Sequence, residues 1–390
     1  MTEPAVLGGR QAFPDGLPIT RPYLPGVPAL AARLQAILDS GRLTNGPTVA
    51  ELEERVAGLL GVPHVVAVAS CTSGLMLVLQ ALGATGRVVL PSFTFSASAH
   101  AVVWAGGSCD FAEIDGDTCT LDPADAAALV DGASAITATH TYGTPCDTGA
   151  LQAAADGAGI PLVYDAAHAL GSLRQGVPVG RFGAAEVFSL SPTKVVVAGE
   201  GGLVATGDAA LAEAVRLGRD YGNPGDYDCH FPGLNARMSE LHAAVALASL
   251  EGLGERVAHR GGLAARFAAE IAGIPGLRLA AVRDGDTSTW KDLTLHVDRG
   301  AFGLSAPELA RALKAEGIDS RRYFHPPVHL QKAYAGRWAS PRDLPVTEDV
   351  SRRVLSLPMW SNMVDDHMVR IAAAVAAIHA HAGEVRHALG

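Results

Sequence analysis

Lys194 is the residue of this sequence whose surroundings most need a chemical explanation. It lies in the segment FSLSPTKVVVAGEGG, residues 188–202, between an apolar run and a group of glycines, and Glu200 is the first carboxylate there. An arbitrary lysine in such a place is expected to extend its ammonium group to solvent. A lysine held in water-poor surroundings instead has a lowered pKa and becomes a nucleophile towards aldehydes. The segment therefore raises the hypothesis of a Schiff-base lysine.

A second interpretation comes from the hydroxyl groups beside the lysine. Residues 191–194 match the S-x-x-K pattern of serine β-lactamases and penicillin-binding proteins, and residues 221–223 supply a Y-x-N. Those enzymes also need a strand resembling K-T-G, which this sequence lacks, and they act outside the cytoplasm. The first residues, MTEPAV, do not resemble a secretory signal, so we expect a cytoplasmic protein and disfavour this interpretation.

Pyridoxal 5′-phosphate (PLP) is an aldehyde cofactor that imposes two further requirements on a protein. One is a carboxylate that keeps the pyridine nitrogen protonated. Asp165 is a candidate because it ends the apolar run PLVYD, at the carboxyl end of a predicted parallel strand, where ligands collect. The other is a cradle for the phosphate. Segment Ser70–Gly74 separates a predicted strand from a predicted helix, so its amides and hydroxyls would face a phosphate at a helix N-terminus.

The elements that would position these residues follow from the hydrophobic pattern. Short apolar runs rich in branched residues alternate with helical segments, which predicts βαβ units and a largely parallel sheet covered on both faces. The runs 186–190 and 203–206 are too close in sequence for a helical crossover, so we expect an antiparallel pair. The remaining predicted strands of the sheet span 65–69, 87–91, 109–114, 134–139 and 161–165.

The C-terminal part of the sequence has a different organisation. An Ala/Leu-rich segment predicts a helical connector over 238–272, interrupted at its glycines, Gly252, Gly254, Gly261 and Gly262. The residues beyond it predict a strand and two helices, at 291–297, 305–316 and 364–382, and Ser305 with Glu308 has the spacing of a capping box. We therefore predict an N-terminal arm, a large domain and a smaller α+β domain, at 1–28, 29–250 and 251–390.

Composition excludes several classes of function. The chain has 390 residues, 48% of them hydrophobic and 18% charged, which is typical of a soluble globular protein with a large core. A net charge of −10 argues against general binding to nucleic acids or acidic membranes, which requires a basic surface. The five cysteines are odd in number and widely spaced, without a zinc-like cluster, so we expect reduced thiols and no metal site.

The sequence resembles the DegT/DnrJ/EryC1/StrS sugar aminotransferases through most of its length. The resemblance rests on nine motifs that occur in the same order, GRLTNGP, SCTSGLMLVLQAL, PSFTFSASAHAV, HTYGTPCD, YDAAHALGS, FSLSPTK with GEGG, GLNARMSELHAA, YFHPPVH and LSLPMW. It implies an α/β protein of the PLP-dependent transferase fold type I. Such a protein has a large domain with a mostly parallel, mixed sheet and a smaller C-terminal α+β domain.

The resemblance also implies roles for individual residues around PLP. Lys194 would bond the cofactor's aldehyde and Asp165 would pair with the pyridine nitrogen. His168 would approach the ring oxygen and Phe95 would stack on the ring, although on their own a histidine in a helix and a phenylalanine are more often structural. The phosphate would be held by Thr72, Ser73 and Ser189, which would otherwise be interpreted as turn and capping residues.

Further residues are implied as contacts with the partner subunit and the sugar. Asn235 would reach the phosphate of the neighbouring subunit's cofactor, which implies a homodimer with shared active sites; on its own it would form an Asx-turn. His329 would lie near the sugar, whereas the prolines of its segment YFHPPVH would on their own indicate a rigid turn. The arginines expected to meet hydroxyls and pyrophosphate are Arg237, Arg321 and Arg322, of which the last two would otherwise indicate a solvated turn.

The activity implied is transfer of an amino group from glutamate to a keto nucleotide sugar in deoxyamino-sugar biosynthesis. We expect the acceptor to be C4 of a dTDP-4-keto-6-deoxyhexose, because a dehydratase makes such sugars for this family. Related dehydratases replace the lysine with histidine, so the presence of Lys194 favours transamination. The alternatives are a 3-keto nucleotide sugar, a keto-cyclitol such as an inosose, and a non-catalytic regulator with the same fold. The regulators carry a fused DNA-binding domain, for which the predicted arm has no room.

Overall fold

The computed structural model describes residues 3–24, 26–338, 340 and 342–390. Most strands of this part of the chain coincide with the apolar runs of the sequence to within two residues. The strands are β1 (His64–Val68), β2 (Arg87–Pro91), β3 (Ser108–Ala112), β4 (Ala135–Thr139), β5 (Leu162–Asp165), β6 (Leu173–Arg174), β7 (Val177–Pro178), β8 (Ala185–Ser189), β9 (Gly202–Thr206), β10 (Leu277–Leu279), β11 (Leu293–Val297) and β12 (Val354–Leu357).

Seven of the described strands form one sheet in the order β1-β9-β8-β5-β4-β2-β3. Strand β9 is antiparallel to both of its neighbours, and the other neighbouring pairs are parallel. The predicted mixed, mostly parallel sheet and its antiparallel β8–β9 pair are therefore confirmed. Because β4, β5 and β8 are parallel neighbours, their final residues Thr139, Asp165 and Ser189 lie at one edge of the sheet.

Helices pack on both faces of this sheet and continue through the C-terminal part of the chain. Helix α3 lies close to β8, since a Cβ added at Gly74 would be 2.8 Å from Val187 Cγ1. The described helices are α1 (Val27–Ser40), α2 (Pro47–Leu60), α3 (Cys71–Ala81), α4 (Ser96–Trp104), α5 (Pro123–Ala127), α6 (Thr148–Ala158), α7 (Ala209–Gly218), α8 (Glu240–Leu250), α9 (Leu253–Ile271), α10 (Arg299–Phe302), α11 (Ala306–Ala315), α12 (Pro345–Arg353), α13 (Asp365–Ala380) and α14 (Ala382–Leu389).

The helical connector differs from its prediction in one respect. The helical segment is interrupted at Gly252, which has φ +66° and separates α8 from α9. Helix α9 then continues through Gly254, Gly261 and Gly262. A glycine inside a helix costs about 1 kcal/mol relative to alanine, and the burial of an apolar side chain such as Leu263 or Phe267 exceeds that cost. The prediction that the later glycines interrupt the helix was therefore wrong. Helix α14 was not predicted.

The C-terminal part of the chain has its own sheet and core. Strands β10, β11 and β12 form an antiparallel sheet packed against helices, and the predicted capping box at Ser305 and Glu308 starts α11. The N-terminal arm lies on this core, because Phe13 and Leu17 are buried in it and Leu17 N donates to Gly317 O at 2.7 Å. None of the helices in the described ranges is long and apolar enough to span a membrane.

Candidate active site

A cavity of ≈ 190 Å³ opens at the carboxyl edge of the large sheet. Its walls are the ends of β4, β5 and β8, the N-termini of α3 and α4, and the loop between β8 and β9. Ligands of open α/β sheets characteristically bind at this edge. The lining residues are Ser70, Cys71, Thr72, Thr94, Phe95, Ala97, Thr139, Asp165, Ala167, His168, Ser189, Ser191, Lys194, Glu200, Gly201 and Phe324.

Lys194 is the lysine that lines this cavity in the described chain. It lies in the β8–β9 loop, followed by the buried residues 195–198, and its side chain donates no hydrogen bond to any described residue. The pKa of Lys194 is lowered to about 8, chiefly by burial and also by the nearby ammonium of Lys291, which together outweigh the opposing effect of the carboxylates of Asp292 and Asp165. About a tenth of Lys194 is thus a neutral amine at pH 7, far more than for an ordinary lysine, as a nucleophile requires.

This lowered pKa gives a pH dependence that can be measured. Only the neutral amine attacks an aldehyde, so the rate of covalent PLP capture by the apoenzyme should rise as the pH increases through about 8 and level off above it. Stopped-flow absorbance over a pH series tests this expectation. The variant Lys291→Met should move the midpoint to higher pH, because it removes a positive charge that disfavours protonated Lys194. A midpoint in the ordinary lysine range would contradict the assignment.

Asp165 ends β5 on the floor of the cavity and is buried. Its carboxylate accepts three hydrogen bonds: Ser98 Oγ donates to Oδ2 at 2.6 Å, Ala167 N donates to Oδ1 at 3.0 Å, and Cys71 Sγ donates to Oδ1 at 3.8 Å. Ser98 is itself part of a hydroxyl network, with Thr94 Oγ1 2.9 Å from Ser98 Oγ and 3.0 Å from Thr139 Oγ1. This network was not predicted, although a serine within the largely apolar segment of α4 is a sequence signal that could have indicated it.

The N-terminus of α3 supplies a cradle for an anion. Ser70 and Ser73 form a capping box, which uses the Ser73 amide, whereas the amides of Cys71 and Thr72 donate to no acceptor among the described residues. Strand β9 passes this helix end closely, because a Cβ on Gly202 would be 2.6 Å from Cys71 N. Free amides at a helix N-terminus attract a phosphate group.

The three residues predicted to bind the phosphate do not all line the cavity. Thr72 and Ser189 line the cavity, as expected for a direct contact. The hydroxyl of Ser73 instead donates to Ser70 O at 2.8 Å within the capping box, and Ser73 is not part of the described cavity wall. Ser73 therefore supports the cradle from behind in this conformation, and its contact with a phosphate remains a prediction.

Two ring side chains complete the wall. Phe95 is 61% exposed at the cavity, so it is not the core residue that its type alone would suggest. His168 lies in a turn after β5 rather than in a helix, and Thr289 Oγ1 donates to its carbonyl oxygen at 2.6 Å. Burial, with the charges of Lys194 and Lys291, holds the pKa of His168 well below its ordinary value. The imidazole is therefore neutral near pH 7.

The residues predicted to contact the sugar lie outside the described cavity wall. His329 Nδ1 is 2.6 Å from Ser92 Oγ, and its other ring nitrogen is 3.5 Å from Glu348 Oε1. Arg237 forms an ion pair with Asp220. Arg321 donates to Ser320 O at 2.8 Å, and Arg322 donates to the carbonyl groups of α12. In this chain each of these side chains contacts other protein groups, and its contact with a sugar nucleotide remains a prediction.

The groups that line the cavity fit the chemistry of PLP. The lysine with a lowered pKa suits the aldehyde, and the buried, hydrogen-bonded carboxylate suits the pyridine nitrogen. The two free amides at a helix N-terminus suit the phosphate, and the exposed aromatic side chain suits the ring. The serine-hydrolase arrangement is not formed by the described residues. Ser191 Oγ lies 3.4 Å from Thr193 Oγ1 and makes no hydrogen bond with Lys194 in this part of the chain. No group of His, Cys, Asp and Glu in the described ranges is arranged to hold a metal ion.

Comparison with known proteins gives a consistent result. A model of the DegT/DnrJ/EryC1/StrS aminotransferase family matches residues 28–376. The chain is 32% identical over 354 residues to the spore coat polysaccharide biosynthesis protein SpsC of Bacillus subtilis, covering 87% of this chain and 91% of SpsC. It is 35% identical over 348 residues to the dTDP-3-amino-3,4,6-trideoxy-alpha-D-glucose transaminase of Streptomyces venezuelae, covering 88% and 90%. The crystal structure of DesI in the presence of its TDP-sugar product matches with a TM-score of 0.92 and 39% identity, over 98% of this chain and 97% of DesI.

Proposed function

Because the chain belongs to the DegT/DnrJ/EryC1/StrS aminotransferase family and is a PLP-dependent aminotransferase, we propose that it transfers an amino group from glutamate to a keto sugar carried on a nucleoside diphosphate. The observation that carries the proposal is the approach of Lys194 and Asp165 to one cavity at the carboxyl edge of the sheet. A non-catalytic regulator would have no need for a lysine with a lowered pKa and a hydrogen-bonded carboxylate in one cavity.

The residues around the cavity would hold the cofactor by complementary chemistry. Lys194 supplies the amine for the aldehyde, and Asp165 supplies the negative charge opposite the pyridine nitrogen. The amides of Cys71 and Thr72, with the hydroxyl of Ser189, would bind the phosphate, and Phe95 would contact the ring. When bound there, PLP supplies an electron sink for the bond broken at the α-carbon of the amino donor.

Lys194 performs the proton transfer that the exchange requires. With PLP bound, Nζ of Lys194 would be the group that takes the α-proton of glutamate and later returns it. In this half of the exchange, glutamate and one water would give 2-oxoglutarate, with the amino nitrogen retained in the site. In the other half, the sugar ketone would take up that nitrogen and release its oxygen as water, with Lys194 again moving the proton. The carboxylate of Asp165, oriented by Ser98, keeps the proton on the pyridine nitrogen in both halves.

The proposed acceptor is C4 of a dTDP-4-keto-6-deoxyhexose. Two similar proteins support a thymidine nucleotide, because one is named for a dTDP-sugar and DesI was crystallised with its TDP-sugar product. The choice of C4 follows from the dehydration that supplies 4-keto-6-deoxy sugars to this family. A 3-keto sugar is the second candidate, because the relative of Streptomyces venezuelae is named for a 3-amino sugar.

A competition assay tests the acceptor. The 4-keto nucleotide sugar, its 3-keto isomer and an inosose are offered at equal concentration with glutamate, and the products are identified by mass and NMR. We expect the highest kcat/KM for the 4-keto sugar. A higher value for either rival would overturn the C4 assignment. Formation of 2-oxoglutarate from glutamate without any sugar is measured in parallel, so failure of the acceptor assignment is distinguished from failure of aminotransfer itself.

We also propose that the protein works in the cytoplasm as a homodimer whose active sites are shared. Asn235 is exposed and lies outside its own subunit's described cavity wall, while its backbone pairs with Asp220. Its side chain makes no hydrogen bond with any described residue, so it is free to serve the phosphate of a neighbouring subunit's cofactor.

Mixed dimers should reveal such sharing. Lys194→Ala and Asn235→Ala should each impair the homodimer, but a mixed dimer places both changes in one site and leaves the other intact. Isolated mixed dimers should therefore regain roughly half of the wild-type activity, as expected for one intact site of two. Asn362→Ala, at an exposed asparagine in the C-terminal part of the chain, is the matched control and should not impair the homodimer. Mixed dimers that stay at the level of the impaired homodimers would contradict shared sites.

A further inference from the structure

A buried ion pair lies behind the cavity, next to the start of β11. Lys291 Nζ donates to Asp292 Oδ1 at 2.7 Å, and the two side chains are only 7% and 4% exposed. The backbone of the pair is fixed, because Lys291 N donates to Tyr142 O at 2.9 Å and the guanidinium of Arg260 donates to the carbonyl of Lys291 at 3.3 Å. Neither residue is part of the described cavity wall, and the proposed proton transfers do not use them.

The second oxygen of Asp292 faces His168. Oδ2 of Asp292 and Nδ1 of His168 are both buried, and neither has a hydrogen-bond partner among the described residues. The two atoms are 3.9 Å apart. That distance exceeds a direct hydrogen bond by less than 1 Å, which a small rotation of either side chain would close. Buried polar groups are nearly always paired in native proteins, so each atom is the available partner of the other.

The chemistry of the two groups decides which one donates. A carboxylate is only an acceptor, so the contact requires a proton on Nδ1 of His168. The imidazole is neutral, because burial and the charges of Lys194 and Lys291 lower its pKa. A neutral imidazole with its proton on Nδ1 has an unprotonated Nε2, and His168 lines the cavity.

We propose that Asp292 is a positioning residue that fixes His168 as the Nδ1–H tautomer, so that Nε2 presents a lone pair to the cavity. This inference deepens the proposed function, since the value of that lone pair depends on a hydroxyl group of the cofactor or substrate beside His168. The tautomer itself is a property of the apoenzyme and does not depend on the activity.

The role of Lys291 makes the proposal sharply testable. The ammonium group can only donate, so it always requires an oxygen at position 292. In Asp292→Asn the amide must turn its oxygen towards Lys291 and its NH₂ group towards His168. Nδ1 then faces a donor and becomes the acceptor, which moves the proton to Nε2. The substitution should therefore reverse the tautomer while it preserves the volume of the side chain.

Nitrogen chemical shifts of isotope-labelled histidine in the apoenzyme measure the tautomer, and the His168 signal is assigned by its loss in His168→Gln. We expect a protonated Nδ1 in the wild type, the reverse in Asp292→Asn, and the wild-type pattern in Lys291→Met, which keeps the carboxylate. Thermal unfolding of each variant checks that the fold is retained. A protonated Nε2 in the wild type would overturn the proposal without any variant, and an unchanged tautomer in folded Asp292→Asn would do the same. Transamination by the wild type is measured separately, and its absence alongside the expected tautomers would contradict the proposed function and leave the tautomer assignment standing.

Discussion

Replacement of Lys194 with alanine is expected to lower transamination by roughly 10⁴-fold or more, because the change removes both the nucleophile and the group that moves the α-proton. The purified variant should also lose the absorbance band of covalently bound PLP. Because the cradle at the α3 N-terminus and the carboxylate of Asp165 stay intact, Lys194→Ala should still bind PLP without a covalent bond. A variant that retains near-normal turnover would refute the role of Lys194.

Chemical labelling tests the same assignment without relying on activity. The sequence contains four lysines, Lys194, Lys291, Lys314 and Lys332. Borohydride reduction of the PLP-loaded enzyme followed by peptide mapping should place the pyridoxyl group on Lys194. Lys291 is the informative control, because it is buried nearby but forms an ion pair with Asp292 and does not line the cavity. Lys291→Met should keep the label on Lys194, and a label on any other lysine would be inconsistent with the proposed site.

The substitution Asp165→Asn is expected to lower turnover by roughly 10²- to 10³-fold, the usual effect of removing one preorganised electrostatic group. A neutral amide cannot hold a proton on the pyridine nitrogen, so the electron sink weakens in both half reactions. The amide oxygen can still accept from Ala167 N, and its NH₂ group can donate to Ser98 Oγ. The fold and PLP binding should therefore persist.

A matched control separates this effect from the general cost of changing a buried carboxylate. Asp110 on β3 is also buried and paired, in its case with Arg87, and it does not line the cavity. Asp110→Asn should leave kcat per folded protein close to wild type, although thermal unfolding reports any loss of stability. Near-normal kcat in Asp165→Asn, measured with PLP bound, would remove Asp165 from its proposed role.

The sequence by itself determined the order of most elements of the large sheet and indicated the family. Alternating apolar runs and helical patterns are local signals, and they gave the parallel sheet and the antiparallel β8–β9 pair. Lys194 and Asp165 were proposed as site residues because a lysine in an apolar segment and an aspartate at a strand end are unusual and can be seen in the linear sequence. The chain order of nine motifs then indicated the family, which the family model and the related proteins support.

Only the tertiary structure decided how side chains far apart in sequence meet. Ser98 reaches Asp165, and Asp292 faces His168, across sequence separations that no local pattern encodes. The hydroxyl of Ser73 is used by the capping box, although its sequence position alone suggested a phosphate contact. Such pairings depend on which elements pack together and which rotamers their burial allows, and both are properties of the folded chain.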